Sequence, residues 1–349
     1  MSRVRARGET IRRFILEHVD TNPRDISKMT AQHFGITRQA VNKHIRRLSS
    51  EGALTEDGHT RSRSYKLSPL VDWVKTYGVV PELAEDIAWT EVANALGQQP
   101  DNVLDIWQYG FTEMFNNARD HSEGNSIMVR VKKDAVKTEV MVSDDGVGIF
   151  RKIQRELNLL DERHAILELS KGKLTTDPKH HTGEGVFFTS RMFDLFQILS
   201  GGCFLTHTVG NPEDWLLESQ GTGGTFVFMR LSNHTARTTK AVFDEYTSGE
   251  DYGFSKTVVP VQLAQYGNDK LISRSQAKRV LARVELFLKV VFDFQGVRTI
   301  GLAFADEIFR VFADEHPGIS LIPINMLPEV DLMVKRAQFA RTTGQSRAN

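Results

Sequence analysis

The chain has 349 residues, 40% of them hydrophobic, with 44 Lys and Arg balanced by 44 Asp and Glu. That length exceeds the size at which one core usually stops growing, so two or three domains are expected, and no apolar run is long enough to span a bilayer, which excludes a membrane-spanning chain. The balance of charge conceals an asymmetry: residues 1–68 hold 14 Lys and Arg against 7 Asp and Glu, leaving 30 against 37 for the remainder. The basic end is the candidate nucleic-acid surface. A single cysteine, Cys203, excludes an internal disulfide and a Cys-rich metal site. With a charged start and no apolar run behind it, a cytoplasmic location with no membrane partner is expected. The tail from about Arg341 to Asn349 has the composition of a disordered segment.

Residues Thr10 to Val19 carry Ile11, Phe14, Ile15 and Val19 at helical spacing, and a second short helix is predicted from about Asp25. Gly35-Ile36 makes a turn, and Thr37 is a suitable N-cap for a third helix to Ser50. In that helix Ala40, Val41, Ile45 and Leu48 face inward, while Arg38, Gln39, Asn42, Lys43 and Arg46 face outward. Asp57-Gly58 signals a hairpin whose second strand carries Arg61, Arg63 and Tyr65. This segment resembles the winged helix-turn-helix domains of bacterial transcription regulators. The resemblance implies DNA as a partner, with Arg38, Gln39 and Asn42 reaching base edges and Lys43, Arg46, Arg61 and Arg63 meeting phosphates. A winged helix used for protein contacts alone would show the same charges as a solvated face. Residues 69–100 follow as predicted linker helices that lead into, and partly belong to, the central domain, with patches around Val71-Trp73-Val74 and Leu83 to Leu96 and with Pro81 and Pro100 as punctuation.

Between Ile106 and Leu231 four short motifs occur in order. Glu113 and Asn117 lie four apart on an amphipathic helix starting near Asp105, so both can reach one ligand. A predicted strand pair, Ser126–Lys132 and Thr138–Ser143, ends in Asp144-Asp145-Gly146-Val147-Gly148. A carboxylate there can accept from an exocyclic amine, with glycines letting the backbone approach a ring; Asp-Gly is equally an ordinary turn. His181-Thr182-Gly183-Glu184-Gly185 is a glycine-rich turn opening a helix, whose free amides favour phosphate. Thr222-Gly223-Gly224-Thr225 enters a closing strand.

In this order and spacing the four motifs resemble the N, G1, G2 and last glycine motifs of the GHKL superfamily, which includes histidine kinases, gyrase-type ATPases and anti-sigma-factor serine kinases. The resemblance implies a two-layer α/β sandwich of the Bergerat type binding ATP and Mg²⁺. Asn117 then holds Mg²⁺ through the ATP phosphates and Asp144 reads the adenine amine. Gly146 and Gly148 flank the base, Gly183 and Gly185 close over the phosphates, Thr225 lies in the last motif, and Glu113 is the general-base candidate. The stretch from Phe150 to His181, with Lys171, Lys173, Lys179 and His180, becomes the expected nucleotide lid, its lysines either meeting the γ-phosphate or facing solvent. The pair His180-His181 fits a loop position better than a metal site, since no third ligand stands at metal spacing.

Beyond Ser232 an alternating pattern is predicted: a helix over Leu271–Leu288, a strand at Val290–Phe294, a helix over Gly301–Asp314, a strand at Ile319–Ile324 and a helix near Val330–Ala337. Asp293-Phe-Gln-Gly through Asp306-Glu307-Ile-Phe-Arg310 resembles STAS domains, and specifically a STAS-like family of unknown function. STAS anti-anti-sigma factors carry a phosphorylatable serine about where Leu302 or Ala303 falls, and neither side chain can accept a phosphoryl group. Such a domain can still dock a protein partner or dimerise.

The fold expected is therefore multidomain: an α+β winged helix over 1–68, linker helices over 69–100, a GHKL two-layer sandwich over 101–235 and an α/β STAS-like domain over 250–340. The leading functional expectation is a DNA-binding regulator, homodimeric, in which Mg·ATP controls domain arrangement and hence transcription, with slow hydrolysis. A serine/threonine protein kinase of the anti-sigma-factor type and a nucleotide-gated bacterial defence or stress module are the alternatives.

Overall fold

A computed structural model of the chain describes residues 3–58, 62–174, 183–209, 211–248, 253–265 and 270–348, with the backbone alone at 3–6, 211–222, 248 and 343–348. Arg61, Lys179, His180 and His181 lie outside the described residues. Among the described residues no helix is long and apolar enough to cross a membrane.

The N-terminal unit is three helices and a hairpin: α1 Arg3–His18, α2 Ile26–Phe34, α3 Arg38–Ser50, β1 Leu54–Asp57 and β2 Ser64–Leu67. Gly35, at φ 62°, closes α2 with its amide on the Ala31 carbonyl, and Thr37 opens α3 by accepting from the Ala40 N–H at 3.2 Å. Val41, Ile45 and Leu48 of α3 are buried with Ile11, Ile15 and Ile26 in a core of the unit's own. Each such side chain contributes about 1.5–3 kcal/mol of burial. The hairpin is held to the helices where the Tyr65 N–H donates to the Pro23 carbonyl at 2.9 Å.

The stretch over 69–100 is not a pair of linker helices. Val71–Gly78 is a strand, β3, paired antiparallel along its whole length with β4 (Ser126–Lys133), and only Glu85–Leu96 is helical, as α4. Val71, Trp73 and Tyr77 are strand-forming residues of one alternating face, and that period of two overrides the helical spacing of Val71 and Val74. Lys75 and Tyr77 both bond Glu91 of α4, at 2.6 and 2.8 Å, so strand and helix are one piece of the central unit.

That unit is a five-stranded antiparallel sheet in the order β3-β4-β5-β7-β6, with β5 at Lys137–Asp144, β6 at Leu195–Thr208 and β7 at Asn211–Ser232. One face is covered by helices, chiefly α4, α5 (Asp101–His121) and α8 (Gly185–Met192). Trp107, Phe111 and Phe115 of α5 are wholly buried on Val129, Val140 and Met229 of the sheet side of the core. Two further helices, α6 (Ile149–Glu156) and α7 (Glu162–Lys171), pack on each other beside β6.

After α9 (Thr239–Tyr246) and a short pair, β8 (Thr247–Ser248) with β9 (Gly253–Phe254), comes a parallel three-stranded sheet, β10-β11-β12. Its strands are Lys256–Pro260, Lys289–Asp293 and Ser320–Ile324. Parallel neighbours need crossovers. These are α10 (Arg274–Leu281), and then a continuous helical run of α11 (Leu302–Asp306), a π-helical turn at Glu307–Phe312 and α12 (Ala313–Glu315). The helix expected over Leu271–Leu288 is shorter, α10 being followed by a separate 3₁₀ turn at Val284–Leu286. The last helix, α13, runs Pro328–Ala348 through the tail expected to be disordered. Arg341 anchors that tail by donating to Asp314 and to the Ala313 carbonyl, both at 2.8 Å. The chain is thus a mixed α/β multidomain protein in which the sandwich and the C-terminal sheet share one hydrophobic core. Their junction is aromatic: Phe187 of α8 lies 4.6 Å from Phe254, and Phe254 lies 5.1 Å from Phe287.

Candidate functional site

In β5 the side chains alternate so that Thr138, Val140, Val142 and Asp144 all face the helix layer. Period two therefore carries a carboxylate onto an otherwise apolar face at the end of the strand. Asp144 is 8% exposed, and its Oδ1 accepts from the Gly146 N–H at 2.9 Å and the Thr225 N–H at 3.1 Å. Burial pushes its carboxyl pKa up, opposed by those hydrogen bonds. Asp145 is different in kind. It accepts from the Asn125 and Ser126 amides and the Ser126 hydroxyl at 2.7–3.0 Å, staples the β4 approach, and is held below its ordinary pKa by them.

Asp144 opens on a cavity of about 270 Å³. One wall is apolar: Val142, Ile149, Ile153, Ile198 and Val227, of which Val142 and Ile198 both pair with Val227 in the sheet. Another wall is polar and comes from α5 and the start of α8: Glu113, Asn117, His121, Gly183 and Gly185. Thr225 completes the site, its Oγ1 accepting from the Ile149 N–H at 3.0 Å and so fixing the start of α6. Glu113, Asn117, Asp144, Gly183, Gly185 and Thr225, scattered over the sequence, are thus brought to one cavity.

Gly146 and Gly148 are not in its lining. A side chain at Gly146 would strike the Ser122 carbonyl, and one at Gly148, φ 90°, would meet the Ser200 hydroxyl at 2.6 Å. They bend the chain tightly behind Asp144. Gly185 has a different constraint: a β-carbon there would collide with the Glu113 carboxylate, which lies directly over the first turn of α8. The amides of that turn have no helical acceptor and point out of its N-terminus. Gly183, φ 72°, accepts from the Leu174 N–H at 3.0 Å. Glu184, beside it, has its carboxyl pKa raised by burial, and Tyr109 has its phenol pKa raised by burial and then by Glu113 and Glu184.

One charged lining residue carried no motif signal of its own. Lys152, one turn into α6, borders the cavity and stands 3.5 Å from Glu123. Its signal is the i, i+3, i+4 face of Ile149, Lys152 and Ile153 that follows Gly148. His121 lies one turn beyond Asn117 on α5.

Lys171, expected on a mobile loop, is elsewhere. Residues 149–156 and 162–171 are helices, and Lys171, far from being solvent-exposed, is completely buried. Its Nζ pairs with Glu168 at 2.7 Å and donates to the carbonyls of Ala282 at 2.8 Å and Arg279 at 3.2 Å in the C-terminal unit. A buried ammonium is tolerable only with such partners.

On the N-terminal unit, Arg38, Gln39, Asn42, Lys43 and Arg46 are all exposed on the face of α3 opposite its core residues. Asn42 accepts from the Ser27 hydroxyl at 2.9 Å, and Arg63 pairs with Glu56 at 2.8 Å across the hairpin.

A family model described as a STAS-like domain of unknown function (DUF4325) matches residues 276–331, which run from α10 through β11 and β12 into α13. The C-terminal unit therefore contains a STAS-like domain, and the exposed Leu302 opens its α11. No curated protein matches the chain.

Proposed function

We propose that the central unit is a GHKL-type sandwich binding Mg·ATP, and that nucleotide occupancy governs DNA binding by an N-terminal winged helix. The observation that carries the nucleotide reading is the buried Asp144, locked by two backbone amides at the polar point of an apolar wall that continues toward Glu113, Asn117 and Gly185. A flat base with one exocyclic amine fits such a wall. The cavity, about 270 Å³, is near the lower end of small-ligand sites, roughly 300–1,000 Å³.

Each residue then has a task. Asp144 accepts from the adenine amine, and Thr225 keeps both Asp144 and the start of α6 in place. The α8 amides and Gly183 face the phosphates, and Asn117 supplies an amide oxygen to Mg²⁺. Among the described residues no group of three or more His, Cys, Asp or Glu is placed to hold a metal ion. Magnesium there neutralises phosphate charge. Glu113 is the base for an attacking water, held against Gly185. Arg38, Gln39 and Asn42 read base edges while Lys43, Arg46, Arg61 and Arg63 meet phosphates, two copies of the chain placing two such helices.

The test is nucleotide binding and phosphate release by the wild type, Asn117→Ala and Glu113→Gln. Loss of Mg·ATP binding in the first, and binding without turnover in the second, are expected. Equal behaviour of all three would sink the assignment. Label from γ-labelled ATP on a partner protein, in place of free phosphate, would move the reading to a protein kinase.

A further inference from the structure

We propose that the STAS-like domain is a working part of the nucleotide site, with Arg283 as its positioning residue. The proposal rests on the nucleotide reading above and adds how that site is regulated.

Arg283, in the left-handed region at φ 63°, reaches across the domain junction. Its guanidinium pairs with Glu168 Oε2 at 3.2 Å and donates to the carbonyls of Gly172, at 3.2 Å, and Lys173. Those two carbonyls end α7 and begin the run to Leu174. Leu169 and Leu174, on either side of them, both line the cavity. Arg283 itself does not line the cavity; it acts through the backbone that aims two residues that do.

The same junction is tied at further points. Lys171 donates to the Arg279 and Ala282 carbonyls, Lys173 Nζ donates to the Leu286 carbonyl at 2.9 Å, and the Thr257 hydroxyl donates to the Lys171 carbonyl at 2.6 Å. On the other wall, Val186 borders the cavity while its neighbour Phe187 packs at a tilt against Phe254. Because Glu168 and Lys171 are a buried pair whose further partners, Arg283 and the Arg279 and Ala282 carbonyls, come from across the junction, a partly open junction leaves both charges under-satisfied in a dry environment, so the joint is closed or open with little between. A ligand that prefers Leu169 and Leu174 as the closed joint holds them must tighten the joint by the factor by which the joint tightens the ligand. This gives the STAS-like domain a role that needs no phosphorylatable serine where Leu302 and Ala303 stand.

The experiment uses the full chain as wild type, Arg283→Ala and Arg283→Lys. Two quantities are read: Mg·ATP affinity by displacement of a fluorescent nucleotide, and hydrogen exchange at residues 279–287 with and without Mg·ATP. In the wild type, nucleotide slows exchange at 279–287, none of which lines the cavity. Arg283→Ala binds on the order of tenfold more weakly and loses that protection. Arg283→Lys falls between, since one ammonium cannot serve three acceptors in a fixed fork. Unchanged affinity with unchanged protection overturns the proposal while leaving the site intact. A wild type that binds no nucleotide overturns the site and the proposal together. If Arg283→Ala does not fold, Lys173→Met, which removes the ammonium's contacts to the Leu286 carbonyl and to the Phe254 and Phe287 rings, all across the same junction, carries the comparison: weaker binding with less protection at 284–287 supports the proposal, and no change in either overturns it.

Discussion

Replacing Asp144 by Asn changes one atom's chemistry and little else. The side-chain oxygen can still accept from the Gly146 and Thr225 amides, now at 2.9 and 3.1 Å. The second carboxylate position, however, becomes an NH₂ donor facing the adenine amine. A hydrogen bond to a charged acceptor is worth about 1.5–3 kcal/mol. Its loss weakens Mg·ATP binding roughly 10- to 150-fold and narrows the preference for ATP over GTP, whose C6 oxygen can accept from the new donor. Stability moves the other way. Burial raises the folded-state pKa of Asp144 above its unfolded value, so the folded protein holds the proton more tightly. Stability therefore falls as pH rises between the two values, and a constant penalty persists above both. Asn carries no such penalty. At neutral pH the variant should melt at or above the wild-type temperature, an advantage that vanishes once acid protonates the carboxyl. Calorimetric titration with ATP and GTP beside thermal melts at several pH values measures both limbs. Wild-type affinity with an unchanged ATP to GTP ratio would show that Asp144 does not read the base.

Gly185→Ala should leave α8 folded yet cut ATP turnover on the order of a hundredfold, since the added methyl displaces the Glu113 carboxylate; phosphate release against a melting curve separates the two. Lys171→Met takes the nearer of two cationic partners, Lys171 and Arg283, from the buried Glu168 and should cost about 3–5 kcal/mol in urea unfolding. The double change with Glu168→Gln should recover most of that, and a single variant as stable as wild type would contradict the burial of Lys171. Burial pushes the Glu168 carboxyl up, but His164, Lys171 and Arg283 outweigh it and hold the pKa below the usual 4.5. Its contribution is thus complete above that value and is lost as pH falls through the lower folded one, which acid denaturation of wild type and Glu168→Gln will show by convergence. Lys43→Ala and Arg46→Ala should each lower the salt dependence of DNA binding by about one unit of slope, whereas Arg38→Ala should blur sequence preference. Equal slopes would place these side chains off the DNA.

What the sequence reveals follows from where each signal resides. The alternation through Thr138, Val140 and Val142 is enough to turn Asp144 inward, and Glu113 and Asn117 share a helix face by spacing alone. Thr37 caps α3 through an oxygen three residues from its donor. Local chemistry is legible because its partners are near in the chain. β3 was harder, since Val71 and Val74 fit a helix until their partners on β4, more than fifty residues on, supply the ladder. Lys171 offered no local clue at all. In Ser-Lys-Gly-Lys it has the look of a solvated loop, and the carbonyl that satisfies it lies 111 residues downstream. The π-helical turn at Glu307–Phe312 has no composition signal either.

The 111 residues separating Lys171 from the Ala282 carbonyl also set an order of events at birth. A ribosome adds roughly 5–20 residues per second, so Lys171 waits on the order of ten seconds before the carbonyls of Arg279 and Ala282 are made. For the first part of that interval Phe187 and Phe188 also lack Phe254, the ring they pack against. Until then the nascent central unit carries exposed aromatic rings and a Lys171 ammonium paired with Glu168 but without its two carbonyls. Synthesis of the last hundred residues supplies both and completes the wall.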